Sequence, residues 1–111
     1  MIKVLLESPY AGDIEKNTRY ARDCMHDCFK RGEAPFASHL LYTQEGILRD
    51  GVPEERALGI EAGLVWGEQA EKTVVYEDLG ITTGMVQGIE RAKAADRPVE
   101  YRSLENWKNN V

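Results

Sequence analysis

Three short stretches of this chain carry side chains able to bind or react, and each stands at the end of an apolar run or one residue beyond it. Ser8-Pro9-Tyr10-Ala11-Gly12-Asp13 follows Val4-Leu5-Leu6, Ser38-His39 ends Ala34-Pro35-Phe36-Ala37, and Asp78 to Met85 follows Thr73-Val74-Val75-Tyr76. In the first, proline fixes φ, glycine permits close backbone approach and tyrosine offers a ring with a hydroxyl. In the third, Thr82 or Thr83 can cap a helix beginning at Gly84. Arg56 can grip an anion bidentately or pair with Glu54 or Glu55. Cys24, His26 and Cys28 fall short of a metal site, since nothing completes four ligands. The two thiols read as buried core groups, and neither a metal nor another cofactor is expected.

The elements that must position these groups alternate in type. Ile2 to Glu7 reads as a strand covered on both faces. From Asp13, a good N-cap, to Arg31 the apolar spacing is helical, with Gly32 as the stop. Ala34 to Ala37 is a second strand. Leu40 to Val52 is a loop long enough to serve as a binding loop or lid. Pro53 starts a helix reaching about Ala70, whose Gly59, Gly63 and Gly67 line one face and suit packing against the sheet or against a partner subunit. Thr73 to Tyr76 is a third strand, Gly84 to about Ala95 a third helix, and Val99 to Arg102 a fourth strand. The tail from Leu104 to Val111, with Trp107, is expected to pack as a short element or to fray. Trp66 and Trp107 read as packing residues. A βαβαβαβ order gives an α/β domain with a parallel sheet of four strands or five, and brings the three polar strand ends to one edge.

The bulk properties narrow the function. A chain of 111 residues, 42% hydrophobic and 30% charged, makes one domain. Its net charge of −5 and pI near 5.0 come without a Lys/Arg cluster, which argues against duplex nucleic acid as a partner. No apolar run nears the roughly 20 residues a membrane span needs. Met-Ile-Lys enters a strand with no signal-peptide pattern, so a cytoplasmic protein is expected.

Taken in order, Ser8 to Asp13 with Asn17, Ala37-Ser38-His39-Leu40, Pro53-Glu54-Glu55-Arg56 with Gly59, then Asp78 and Gly84-Met85 carry a likeness from Lys3 to about Tyr101. The chain resembles the small Rossmann-like domains related to nucleoside 2-deoxyribosyltransferases, in particular short members found in bacteria and phages. The resemblance implies a single three-layer domain over 1–111 and N-glycosidic chemistry, hydrolysis or deoxyribosyl transfer, on nucleosides or nucleotides. Tyr10 then supports a nucleophilic carboxylate, Asp78 handles the base, and Thr83-Gly84-Met85 holds the sugar or phosphate. Ser38 and His39 border the ligand. Ser8, Pro9, Gly12, Asp13, Asn17 and Arg56 complete the expected binding set. The partners it implies are a small nucleoside or nucleotide and further copies of the chain, as a homodimer or larger assembly.

One position breaks the pattern. The family's Gly followed four residues later by Glu here reads Gly84-Met85-Val86-Gln87-Gly88, and glycine cannot attack an anomeric carbon. Glu90 lies about 200° around the helix from position 88 and is expected to face away. Glu61, Glu7 or Asp13 could substitute, with Glu61 taken as the third catalytic residue beside Tyr10 and Asp78. The alternative is a protein that keeps the pocket without catalysis and senses or sequesters a nucleotide.

Overall fold

The computed structural model describes residues 1–104. Its elements are β1 (Ile2–Glu7), α1 (Ile14–Lys30), β2 (Glu33–Phe36), α2 (Ser38–Leu41), α3 (Pro53–Gly67), β3 (Lys72–Tyr76), α4 (Thr83–Ala94) and β4 (Val99–Arg102). The strands form one parallel sheet in the order β2-β1-β3-β4. The chain therefore leaves β1 toward one edge and β3 toward the other. The crevice between those two strand ends is the place where such sheets take ligands.

Two expectations need adjusting. α3 stops at Gly67 rather than near Ala70, and the start of the expected loop is helical, as the single turn α2. The sheet has four strands among the described residues. The expectation about the tail falls on residues 105–111, Trp107 included, which lie outside the described residues.

Alternation along the strands separates two cores. Val4, Leu6, Val74 and Tyr76 pack on Tyr20, Cys24 and Cys28 of α1. On the opposite face Val75 packs on Met85 and Ile89 of α4. The α3 glycines are used inside the chain. A Cβ at Gly63 would lie 2.4 Å from the Ser38 Oγ, and one at Gly67 2.5 Å from the Leu5 Cδ2. That face of α3 therefore packs on α2 and β1 and is not free for a partner subunit. The apolar side chains α3 leaves exposed are Leu58, Val65 and Trp66, the last tilted against Phe36 at 6.2 Å.

A buried ion pair ties β4 to β2. Arg102, 5% exposed, donates to both carboxylate oxygens of Glu33 at 2.8 and 2.6 Å, with the Tyr76 hydroxyl at 3.1 Å and Lys72 also on Glu33 at 3.2 Å. Bidentate geometry and full pairing are what make a buried charge tolerable.

Candidate functional site

A cleft of about 290 Å³ opens at the carboxyl ends of the strands. Its walls come from the end of β1 and the loop after it, from α2 and the loop that follows, from α3, and from the start of α4. The first loop is held by Asn17 of α1, whose Nδ2 donates to the carbonyls of Tyr10 and Ala11 at 2.9 and 3.1 Å. Gly12 takes φ +104°, a conformation open to glycine, and the Asp13 carboxylate accepts from the Lys16 amide to cap α1. Tyr10 is thereby presented at the cleft.

Ser8 and His39 meet there. The Ser8 Oγ and His39 Nε2 are 2.7 Å apart, joining the end of β1 to α2. Burial pushes the His39 pKa down to about 4, so its imidazole is neutral at physiological pH and can accept from the hydroxyl or donate to it, according to tautomer. Ser38 stands beside it on the cleft wall.

Glu7 ends β1 and lines the cleft, with its carboxyl against Gly88 of α4. A Cβ built on Gly88 would lie 2.0 Å from the Glu7 Oε2. The carboxyl thus occupies the space that a side chain at position 88 would enter. Burial drives its pKa up from 4.5 to about 8, a rise that the charge of Arg97 partly offsets. At pH 7 the group is mostly a neutral acid, in a cleft where such a shift marks candidate reactive groups.

Across from it, α4 begins at the cleft. The Met85 amide donates to the Thr82 Oγ1 at 3.3 Å, and Thr83, Gly84 and Met85 line the wall. At the rim Arg56 lies 4.0 Å from Asp50, while Glu55 is taken by Arg49 at 2.6 Å. Arg56 therefore pairs with neither Glu54 nor Glu55.

The cleft brings together Ser8, Tyr10, Ser38, His39, Arg56, Thr83, Gly84 and Met85 of the expected set. Pro9, Gly12, Asp13 and Asn17 shape the first loop instead of lining the cleft. Two expected catalytic residues stand elsewhere. Asp78 accepts from the Tyr20 hydroxyl at 2.5 Å and from the Leu104 amide at 2.9 Å, a use that fixes the segment after β4. Glu61 is on the outer side of α3, paired with Arg91 of α4 at 3.3 Å, because its helical position is opposed to the glycine face. Glu90 is exposed, as the helical angle implied. Tyr42, Thr43, Leu48 and Asp50 belong to the cleft as well, and the length of their loop was the signal for them.

The sequence matches, over residues 2–102, the family model described as a domain of unknown function, DUF7768. A search of curated proteins finds no match. Among solved structures, a 2-deoxyribosyltransferase from the psychrotolerant bacterium Bacillus psychrosaccharolyticus is similar, with a TM-score of 0.71 at 18% identity over 96% of this chain and 75% of that one. At that identity the likeness is one of fold, and the fold is nucleoside 2-deoxyribosyltransferase-like.

Proposed function

The chain belongs to the DUF7768 family, and from that premise we propose that its cleft binds a small nucleoside or nucleotide and breaks the N-glycosidic bond, with Glu7 as the reacting carboxyl. The observation that carries this reading is the exchange at positions 7 and 88. The helix lacks the carboxylate that the resemblance leads one to expect, and Glu7 fills that space from β1. In the reaction the Glu7 carboxylate attacks the anomeric carbon. A C–O bond forms, the C–N bond breaks, and its electron pair leaves with the base, which takes up a proton. Water then opens the glycosyl ester, giving hydrolysis, or a second base does, giving transfer. Tyr10 and the Ser8–His39 pair border the sugar and base, and the start of α4 together with Arg56 faces its hydroxyls or a phosphate.

Because attack needs the ionised carboxyl, kcat/KM for base release should rise as pH passes through about 8. The test is incubation with deoxynucleosides and nucleoside monophosphates at pH 7 and 8.5, roughly either side of that value, followed by chromatography for free base. Base release abolished by Glu7→Gln supports the proposal. A second reading, a nucleotide-binding protein without catalysis, is favoured by the neutral state of Glu7 at pH 7. Absent base release with a ligand-induced rise in Tm would establish that reading and overturn the first. Assembly as a homodimer or larger oligomer accompanies either reading and is checked by light scattering.

A further inference from the structure

A buried guanidinium, that of Arg97, lies behind the cleft. Arg97 follows α4 through a turn in which Asp96 takes φ +56°, an uncommon conformation for a residue other than glycine, and its own amide returns to the Ala92 carbonyl at 2.8 Å. This sends the side chain beneath α4 to the sheet, where its Nε donates to the Thr73 Oγ1 at 3.1 Å. Arg97 is 8% exposed, and its Nη2 is buried with no hydrogen-bond partner among the described residues. Buried charges normally satisfy their donors, as Arg102 does, because an orphaned one costs free energy. An arginine kept in that state calls for a role other than stability.

The sheet register supplies one. Leu5 pairs with Thr73 and Glu7 with Val75, so Glu7 and Thr73 project from the same face on adjacent strands, two residues apart along them. Gly88 and Met85 of α4, and Gly63 and Leu64 of α3, bring no charge to that face, and His39 from α2 is neutral. Arg56, Asp50 and Glu55 are engaged at the rim. Through Thr73, Arg97 brings its charge to that same face, and no ion pair within 4.0 Å joins it to Glu7 among the described residues.

We propose that Arg97 is a positioning residue for Glu7, a buried counter-charge held by Thr73 that favours the ionised carboxyl as the reactive group of the cleft. This rests on Glu7 being the reacting group. It adds that the carboxyl on β1 works with a cation from the turn after α4, which leaves the Nη2 unpaired so that the guanidinium acts at a distance instead of locking Glu7 into a salt bridge.

The test titrates the Glu7 side-chain carboxyl by ¹³C NMR, with Glu7→Gln identifying the signal, in the wild type, Arg97→Met and Thr73→Val. Removing an opposite charge at this range should raise the Glu7 midpoint by about one pH unit in Arg97→Met. Thr73→Val, a second variant that keeps the guanidinium but removes its anchor, should raise it by roughly half as much. Base release at pH 7 should fall about tenfold in Arg97→Met, with the pH profile moving by the same amount as the NMR midpoint. A lowered Tm with an unmoved midpoint in the variants that fold would make Arg97 a purely structural residue and overturn the proposal. The NMR midpoint needs no turnover, so a wild-type protein that releases no base would count against the enzymatic reading while the Glu7–Arg97 coupling is still measured.

Discussion

Replacing Glu7 by glutamine should make the protein more stable, by an amount that depends on pH. The carboxyl titrates at 4.5 as an ordinary glutamate and at about 8 in the fold, where burial disfavours its charge. A raised folded pKa means that the folded state holds the proton more tightly than the unfolded chain. Below about pH 4.5 both states are protonated and Glu7 carries almost no penalty. As pH rises the unfolded chain ionises first, and by pH 7 the penalty reaches about 3 kcal/mol, levelling off near 5 kcal/mol once pH passes the folded value. Glutamine has the same shape and no charge to lose. Glu7→Gln should therefore gain roughly 3 kcal/mol at pH 7, on the order of 10 °C in Tm for a domain of this size, and close to nothing at pH 4.5. Urea denaturation of both proteins at pH 4.5, 6, 7 and 8.5, roughly spanning the two pKa values, measures the difference directly. A gain that does not change with pH, or a loss at pH 7, would refute the burial argument. Stabilisation accompanied by lost base release is the trade-off expected of a reactive site.

Other perturbations probe different parts of the molecule. Gly88→Glu alone should lower Tm and show no base release, since its side chain meets the Glu7 carboxyl, whereas Glu7→Ala combined with Gly88→Glu should fold and release base; activity in the single variant, read by chromatography, would contradict the exchange. Arg102→Leu should cost about 3 kcal/mol in urea denaturation, because it strips the buried Glu33 carboxylate of its bidentate partner and leaves Lys72 as its cation; a loss under 1 kcal/mol would show the network to be dispensable. Tyr10→Phe should weaken ligand binding or turnover several-fold with Tm nearly unchanged, and a large fall in Tm with unaltered binding by calorimetry would place Tyr10 in the core instead.

The fold was legible because its signals are local. Asp13, Gly32, Pro53 and Thr82 mark helix ends by backbone chemistry that needs no knowledge of distant residues. The edge that holds the cleft followed from the alternation of strands and helices, and with it the place of Ser8, Tyr10, Ser38 and His39 on the cleft wall. What escaped was pairing across the fold. Nothing near Asp78 announces that the Tyr20 hydroxyl and the Leu104 amide will claim its carboxylate, and nothing near Glu61 announces Arg91. The space that Gly88 leaves for Glu7 joins residues on different elements, so only coordinates could choose Glu7 over Glu61 and Asp13. The three α3 glycines show the same divide: their spacing marked a close-packed face, but not that Ser38 and Leu5 would fill it.

Carrying the candidate reactive carboxyl on β1 also decides which wall of the cleft can adapt. β1 is an inner strand, hydrogen-bonded to β2 on one side and β3 on the other, so Glu7 inherits the stiffness of the whole sheet. Another wall is a loop closed by the Leu48 amide on the Tyr42 carbonyl and by the exposed Arg49–Glu55 pair, contacts that water can replace at little cost. The cleft is thus an anvil with a pliable cover. Tyr42 to Asp50 can yield to whatever enters the cleft, while the position of the Glu7 carboxyl stays set by the sheet.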